Sequence, residues 1–356
     1  SMAQSDNHLV IMAGGVGSRF WPMSTTEHPK QFIDVLGVGR TLVQLTYDRF
    51  EGVVSSDNVW VVTNQKYVDL VHEQLPEIPL NHILSEPCRR NTAPCIAYVS
   101  WRIKKENPKA NIVVSPSDHI VIDNTEFRRV VTNCMKFTAE TDAIVTLGMK
   151  PTRPETGYGY IQADLSNASA RNKEIYRVDH FREKPDLETA EQYIRQNNFF
   201  WNAGIFIWSA STIVNAFRIY QPSVARVFER IMDVLGTAEE QRIIDEVYPE
   251  CENISVDYAI MERAEEIFVC PASFGWSDLG TWGSLLAQSQ HDLYGNATIG
   301  KEIHLFDSRN CIVHTTEERK VVIQGLDGYI VAEQGGKLLI CKLSEEQRLK
   351  QFTGEG

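Results

Sequence analysis

Three glycines and two basic residues stand close together near the start of the chain. Gly14, Gly15 and Gly17 directly follow a short apolar run, and Arg19 and Lys30 come after them. An apolar run bounded by glycines is typical of a buried strand that ends in a turn. Successive backbone N–H groups in such a turn can surround an anion, and glycine lets the backbone approach a ligand closely. The stretch therefore predicts a loop that holds a polyphosphate, with the two basic side chains supplying positive charge.

Two well-known glycine motifs do not fit this stretch. The dinucleotide-binding motif needs a third glycine three positions after Gly17, where Phe20 stands. The Walker A loop needs Gly-Lys followed by Ser or Thr, and no such triplet follows Gly17. An ordinary turn between a strand and a helix is the simpler alternative, but the additional Arg19, Pro22 and Lys30 make that alternative less favoured.

The segments at 14–22 and 29–32 together resemble the signature of the sugar-1-phosphate nucleotidyltransferases. The first reads Gly-Gly-x-Gly-x-Arg-x-x-Pro and the second reads Pro-Lys-Gln-Phe. The Trp-Pro pair at 21–22 and the Lys-Gln-Phe version of the second segment are similar to the bacterial mannose-1-phosphate guanylyltransferase branch. Thr25 is a departure, because this branch usually carries Arg there. The resemblance implies that the nucleotide triphosphate is bound by Ala13, Gly14, Gly15, Gly17, Ser18, Arg19 and Lys30.

Asp118 and Asp278 lie far apart in the sequence, each in a turn of small residues. Two carboxylates that converge can hold a hard cation, and Mg²⁺ is commonly bound by one or two carboxylates together with substrate phosphates. A helix N-cap for Asp118 and a loop turn for Asp278 are the structural alternatives. In the family that this chain resembles, the Asp of Pro-x-Asp-His and the Asp of Trp-Ser-Asp-x-Gly hold the catalytic Mg²⁺. The resemblance also makes Asp118 catalytic, together with Arg19, Lys30 and Lys184.

The middle of the chain carries residues that the resemblance assigns to a sugar phosphate. Glu183 would accept hydrogen bonds from sugar hydroxyls, and Lys184 would pair with the phosphate. Asn202 would present its amide to hydroxyls, while Gly157 and Gly204 would leave room for the hexose. The alternatives are a solvated charged turn for the Glu-Lys pair and a hairpin turn for Gly157.

The segment from Glu86 to Thr92 lies where related enzymes read the base. Guanine offers N1–H and N2–H₂ as donors, so a carboxylate such as that of Glu86 would be a fitting acceptor. An ordinary glutamate at a strand end is the alternative. Pro87, Asn91 and Thr92 complete the expected nucleotide-binding set, and Asn91 is also suited to cap the helix that follows.

The composition limits the class of protein. The chain has 356 residues, 43% of them hydrophobic, and a net charge of −12. The negative charge argues against a nucleic-acid binder, which would show a basic face. The sequence contains no run of 18 apolar residues, which is the length that would indicate a membrane span. Seven cysteines without a C-x-x-C pair argue against a complete disulfide framework, so we expect a reducing, cytoplasmic environment.

Strand-like and helix-like segments alternate through most of the chain, which predicts an α/β fold. From about residue 290, short apolar runs separated by Gly, Asp and Asn predict an all-β, β-helix-like tail. Together with the resemblance, these patterns lead us to expect a Rossmann-like mixed-sheet nucleotidyltransferase domain at 1–289 and a small C-terminal β domain at 290–356. Helices are predicted at 41–51, 65–75, 92–106, 125–139 and 186–196, with a helical region at about 209–264.

The resemblance implies one particular reaction. GTP and α-D-mannose 1-phosphate would give GDP-mannose and pyrophosphate, with Mg²⁺ as cofactor. Separately, we expect the C-terminal tail, which carries no catalytic motif, to pack on the main domain and help to form a homodimer. A sensor of the same fold without turnover is one alternative, and an enzyme for another NTP and hexose 1-phosphate is a second. A dinucleotide-dependent oxidoreductase is a third, which the missing third glycine disfavours.

Overall fold

The computed structural model of the protein describes residues 6–16 and 19–354. The chain forms two compact units, and each is built from separate stretches of sequence. The first unit contains the segment that ends at Gly14, together with Tyr47–Pro116 and Val121–Trp276. The second contains Gly15–Thr46, Ser117–Ile120 and the C-terminal part from residue 277. The expected boundary near residue 290 remains a prediction.

Strands and helices alternate along most of the described chain. The strands are β1 Asn7–Ala13, β2 Val59–Asn64, β3 Ile83–Glu86, β4 Asn111–Pro116, β5 Ile120–Val121, β6 Ile144–Met149, β7 Gly159–Ala168, β8 Tyr176–Glu183, β9 Phe199–Ser209, β10 Ile267–Ala272, β11 Trp276–Ser277, β12 Ala297–Ile299, β13 Glu302–Phe306, β14 Ile312–Thr315, β15 Lys320–Gln324, β16 Tyr329–Gln334 and β17 Lys337–Lys342. The α-helices are α1 Leu42–Arg49, α2 Val68–Gln74, α3 Thr92–Glu106, α4 Asn124–Ala139, α5 Leu187–Arg195, α6 Ala210–Tyr220, α7 Pro222–Glu229, α8 Glu240–Val247, α9 Trp282–Gln288 and α10 Leu349–Thr353. Short 3₁₀ helices occupy Lys30–Phe32, Ser56–Asn58, Gln65–Tyr67, Leu80–His82, Tyr248–Glu250 and Leu343–Arg348, and Asp257–Met261 is a π-helical turn.

The first unit is organised around a nine-stranded sheet in the order β3-β2-β1-β4-β9-β6-β10-β8-β7. The strands β3, β2, β1 and β4 are parallel, and Val10 of β1 lies between Trp60 of β2 and Val114 of β4. All three residues are fully buried, as expected where a parallel sheet is covered on both faces. Antiparallel β9 then separates β4 from β6. The four parallel strands therefore end at one edge, which is where open α/β sheets bind ligands.

Most of the predicted helices agree with the observed ones to within a few residues. The helix predicted at 92–106 is α3, Thr92–Glu106, and Asn91 caps it by accepting a hydrogen bond from the Thr92 N–H at 2.8 Å. The region predicted as helical at 209–264 is broken into several short helices. Pro222 begins α7 directly after α6, because proline can start a helix but disrupts the interior of one.

The second unit contains the β strands of the C-terminal part. β12, β14 and β16 stack in parallel, with Ala297 beside Ile312 and Ile312 beside Ile330, and β17 adds an antiparallel edge. β13 and β15 form a second parallel pair. Parallel coils of this kind match the predicted β-helix-like tail. The inward residues pack in a core that also contains Phe20 and Trp282, whose rings meet edge to face at 5.2 Å.

Together these sheets confirm the predicted fold class, a mixed α/β sheet with small additional β sheets near the C-terminus. All seven cysteines lie among the described residues and have free thiols. Over residues 6–16 and 19–354, none of the helices combines the length and the apolar character that crossing a membrane requires.

Candidate active site

Gly14 follows directly after the last residue of β1 and lies beside Glu86, the last residue of β3. A Cβ added to Gly14 would come within 3.0 Å of the Glu86 Oε1 atom, which is too close for most side chains. The strand end itself is held by the Thr63 hydroxyl, which donates to the Ala13 carbonyl at 2.7 Å. The Glu86 carboxylate therefore leaves little room for a side chain at position 14.

The Glu86 carboxylate is buried, with only 8% of the residue exposed. The Tyr248 hydroxyl donates a short hydrogen bond to its Oε2 atom. Burial raises the pKa of Glu86 to about 7, although the bond from Tyr248 and the charge of Arg89 act in the opposite direction. Near neutral pH, Glu86 is therefore present both as a carboxylate, which can only accept hydrogen bonds, and as a neutral acid, which can also donate one.

The start of α3 contains the other residues expected to bind the nucleotide base. Asn91 has a positive φ of 64° as it caps the helix, and the Thr92 hydroxyl accepts from the Val256 N–H at 2.8 Å. Pro87 is partly buried and continues directly from Glu86. Arg89 is exposed, whereas Arg90 donates to the Pro249 carbonyl. The segment is therefore fixed by hydrogen bonds to the stretch around residues 249–256.

The Asn202 amide is engaged with other protein groups. Its Oδ1 atom accepts from the Thr146 hydroxyl and from the Gly204 N–H, both at 3.1 Å. Its Nδ2 atom donates to Asp257 Oδ1 at 2.9 Å. Gly204 has φ of 73°, a backbone conformation that glycine adopts most readily. The predicted sugar-binding amide is thus held in one orientation, with Asp257 as its partner.

A small cluster of carboxylates surrounds this amide. Burial and the charge of Glu183 raise the pKa of Asp257 to about 7, although the hydrogen bond from Asn202 acts in the opposite direction. Burial also raises the pKa of Glu183. A Cβ added to Gly159 would lie 3.4 Å from both Glu183 and Asn202. The structure therefore brings Glu183, Asn202 and Asp257 together as hydrogen-bonding groups around a narrow space.

The two remaining residues of the predicted sugar site are exposed. Lys184 has a positive φ of 45°, and its N–H donates to the Tyr158 carbonyl at 3.2 Å. The Gly157 N–H donates to Glu155 Oε1 at 3.0 Å. Lys184 directly follows Glu183 at the end of β8, so its position is set by the same strand.

In the second unit, the Lys30 ammonium group links two predicted motifs. Its Nζ atom donates to the carbonyls of Asp278 and Leu279, both at 3.0 Å. The same Nζ lies 3.4 Å from Asp118 Oδ2 and 5.8 Å from the centre of the Phe20 ring. The structure therefore brings Lys30, Asp118 and the turn that carries Asp278 to one place.

The Asp118 carboxylate is ionised and partly exposed, with 38% of its side chain accessible. Burial would raise its pKa, but Lys30 and His119 together lower the pKa below its usual range. His119 Nε2 lies 3.4 Å from Asp118 Oδ1. The Asp278 carboxylate accepts from the Gly280 N–H at 3.2 Å, so its own turn holds it in position.

These two carboxylates suit a magnesium ion that is shared with a substrate. Among the described residues, no three His, Cys, Asp or Glu side chains gather as a complete metal cage. Mg²⁺ does not need such a cage, because it keeps several waters and binds one or two carboxylates plus phosphate oxygens. An ionised, accessible Asp118 and a fixed Asp278 fit this requirement.

Arg19 is exposed, and its guanidinium donates to the Gly280 carbonyl at 3.2 Å. The side chain of Gln31 donates to the Gly15 carbonyl at 2.7 Å. Gln31 thus holds the glycine loop by a hydrogen bond to Gly15, and Arg19 holds the segment 278–280 by a hydrogen bond to Gly280. Gly17 and Ser18, which were also expected to bind phosphate, lie outside the described residues.

Three functional candidates were missed in the sequence. Tyr248 supports Glu86, Asp257 supports Asn202, and Gly159 makes room between Glu183 and Asn202. An aspartate before the apolar run Ala259-Ile-Met was a usable signal, because a charged residue at the edge of a core needs a partner. No comparable pattern marks Tyr248, since a buried tyrosine is common in any core.

Comparisons with known proteins identify the family of this chain. The sequence profile of the nucleotidyl transferase family matches residues 8–294. The mannose-1-phosphate guanylyltransferase of Escherichia coli K12 is 35% identical over 99% of this chain and 74% of its own length. The alginate biosynthesis protein AlgA of Pseudomonas fluorescens is 36% identical over 97% of this chain and 70% of its own length. A solved structure described as mannose-1-phosphate geranyltransferase from Thermus thermophilus superimposes with a TM-score of 0.84 at 30% identity, covering 98% of both chains.

The chain therefore belongs to the nucleotidyl transferase family, as the motifs of residues 14–32 had indicated. Within that family it is a homologue of the mannose-1-phosphate guanylyltransferases.

Proposed function

We propose that this protein transfers GMP from GTP to α-D-mannose 1-phosphate, giving GDP-mannose and pyrophosphate. The observation that carries the proposal is the convergence of Lys30, Asp118 and the Asp278 turn in the second unit. A protein that only senses a nucleotide sugar has no need of a cation and two carboxylates arranged in this way. The names of the similar proteins support the choice of base and sugar.

The reaction needs no covalent enzyme intermediate. A phosphate oxygen of mannose 1-phosphate attacks the α-phosphorus of GTP, and the bond to the bridging oxygen of pyrophosphate breaks on the opposite side. Both substrates are polyanions, and the protein itself has a net charge of −12. Catalysis must therefore come mainly from positioning and from local positive charge.

Several residues would supply that local charge. Arg19 and Lys30 would neutralise charge on the departing pyrophosphate, and the glycine loop would donate backbone N–H groups to the triphosphate. Lys184 would orient the attacking phosphate. Asp118 and Asp278 would hold Mg²⁺, which, when bound, supplies Lewis-acid stabilisation at the phosphate oxygens.

The remaining candidates would select the substrates. Glu86 would accept hydrogen bonds from guanine, with Pro87, Asn91 and Thr92 forming the rest of that surface. Glu183 and Asn202 would bind mannose hydroxyls, and Gly157 and Gly204 would leave room for the ring. Asp257 would keep the Asn202 amide in the orientation that the sugar requires.

A substrate panel tests the proposal. Four NTPs are crossed with the 1-phosphates of mannose, glucose and other hexoses, and pyrophosphate release is measured. GTP with mannose 1-phosphate should give the highest kcat/KM, because polar groups matched to guanine stay unpaired with other bases. Better turnover with UTP or dTTP would reassign the base. Nucleotide binding without any pyrophosphate release would favour a sensor.

Replacing Tyr248 by phenylalanine should change how activity depends on pH. The hydroxyl lowers the pKa of Glu86, which is about 7, so its removal should raise that pKa. The carboxylate form accepts from guanine, and this form is lost as the pH falls through the pKa. The acidic limb of the kcat/KM profile for GTP should therefore move to higher pH in Tyr248→Phe.

A matched control for this variant is Tyr329→Phe, which removes a hydroxyl from the C-terminal sheet. We expect its pH profile to equal that of the wild type. If the profile of Tyr248→Phe were unchanged while Glu86→Gln lost preference for GTP, Tyr248 would have only a packing role.

We further infer a homodimer, a cytoplasmic location and a small β domain at 290–356. The tail carries none of the proposed catalytic residues, and Leu338 and Ile340 of its edge strand β17 are each more than half exposed. An exposed apolar edge of this kind favours association. The molar mass in solution, measured by light scattering, tests the dimer.

A further inference from the structure

A cleft of about 460 Å³ lies in the second unit, on the side of the C-terminal strands. Among the described residues, its lining contains no lysine and no arginine. Phosphates and other anions would therefore find no permanently charged side chain to pair with in it. Because the proposed substrates are polyanions, this cleft is poorly suited to either of them.

Two lining residues have polar atoms without a partner among the described residues. His314 is buried, with 1% exposed, and its Nε2 lies 2.9 Å from the Val35 carbonyl. A carbonyl can only accept, so Nε2 carries the hydrogen and Nδ1 has a lone pair. That Nδ1 atom and the Oε1 atom of Gln334 are buried and unpaired. Both are acceptors, and each unpaired buried acceptor lowers stability unless a donor is supplied.

The only carboxylate in the lining is that of Asp34, among the described residues. Its two oxygens already accept from the N–H groups of Val38 and Gly39, at 2.9 and 2.7 Å. The charge of Asp34 is thus compensated within its own turn, and an ammonium ligand would gain little from it. The occupant that fits should be neutral and should carry several donors.

The apolar part of the lining narrows the choice of ligand for this cleft. Phe32, Ile33 and Ile299 contribute side chains to the cleft, and Thr315 and Thr316 add hydroxyl groups. An apolar floor with a few placed polar groups is typical of small-ligand sites. A hexose combines C–H faces with several hydroxyl donors and is small enough for this volume.

We propose that this cleft binds a neutral polyhydroxyl compound of hexose size and that its occupancy changes turnover. His28 and Phe32 both line the cleft and stand on either side of Lys30. His28 Nε2 lies 3.0 Å from the Phe32 carbonyl, so a single compact turn carries all three residues. An occupant contacts both ends of that turn. The effect on turnover rests on the catalytic role proposed above for Lys30, whereas binding itself does not.

Binding is tested with D-mannose, D-glucose and myo-inositol as probes. The methyl NMR signals of Ile33 and Ile299 should shift in a saturable way with at least one of them. Gln334→Leu removes one acceptor and should weaken binding about fivefold, since a hydrogen bond contributes about 1 kcal/mol and about 1.4 kcal/mol corresponds to tenfold. Thr316→Phe, a change at an exposed position of the lining, should block the cleft. Gln324→Leu, on neighbouring strand β15, is the matched control and should bind like the wild type.

The outcomes separate the possible explanations. If ordered water alone satisfies the two acceptors, none of the probes shifts these signals and the proposal is wrong. If the shifts persist in both Gln334→Leu and Thr316→Phe but vanish in Asn202→Ala, the hexose binds at the proposed sugar site instead. For turnover, we expect a change in kcat that remains at saturating mannose 1-phosphate. In Gln334→Leu the same change should need about fivefold more hexose. An unchanged kcat at saturating hexose would show that occupancy of the cleft does not regulate turnover. Turnover measured without hexose tests the proposed reaction independently of the cleft.

Discussion

Replacing Asp118 by asparagine is expected to lower kcat by about 10²–10³-fold, the usual loss for one preorganised electrostatic contact. The substitution keeps the size of the side chain but removes the charge that would hold Mg²⁺. Asp278→Asn should behave alike, because the two carboxylates serve one ion. The double variant should be little worse than either single one, since groups that act as a unit are not additive.

The measurement is turnover against Mg²⁺ concentration for the wild type and the three variants. Each variant should need more Mg²⁺ to reach its maximum rate. Asp327→Asn, at an exposed position of the same unit, is the control and should match the wild type. Near-wild-type activity of either single variant at low Mg²⁺ would remove that residue from the metal site.

Replacing Lys30 by methionine should be at least as harmful. The Nζ atom donates to two carbonyls and lies 3.4 Å from Asp118. Its removal leaves the Asp278 and Leu279 carbonyls without this donor and takes away the charge that lowers the pKa of Asp118. We expect kcat/KM to fall by about 10²-fold or more and the melting temperature to drop as well, because lost hydrogen bonds to partly buried groups are costly.

Two further variants separate charge from anchoring. Lys30→Arg keeps the charge but not the compact geometry of an ammonium group, so it should regain only part of the activity. Lys301→Met removes an exposed lysine and should be neutral. If Lys30→Met unfolded at lower temperature yet kept normal kcat/KM in its folded form, Lys30 would be an anchor alone and not a phosphate ligand.

Protonation of Asp118 gives the Lys30→Met variant a distinct pH dependence. Its pKa lies below its usual range because of Lys30 and His119, so the carboxylate stays ionised through neutral pH in the wild type. In Lys30→Met the largest of these opposing charges is gone and the pKa should rise. The acidic limb of the rate profile should then shift to higher pH.

The sequence by itself determined the local elements and the positions of the motifs. The helix predicted at 92–106 has those bounds in the structure, and Asn91 caps it as expected. The parallel strands of the first unit and the short strands of the tail were recognisable as apolar runs between turn residues. Such features depend on residues within one turn or one strand, and their periodicity is visible in the sequence. The roles of Lys30 and Asp118 came from a resemblance to a family and remain predictions.

Only the tertiary structure decided which distant residues meet. Glu86 is 162 positions from Tyr248, and Lys30 is 248 positions from Asp278. The second unit joins residues 15–46 to the C-terminal part from residue 277, and the domain boundary expected near residue 290 stays a prediction. No local pattern encodes such pairs, because strand order and the return path of the chain set them. The same long-range packing sets the pKa of Glu86, because it buries this carboxylate beside Tyr248. It also buries the Nδ1 atom of His314 and the Oε1 atom of Gln334 without a hydrogen-bond partner among the described residues.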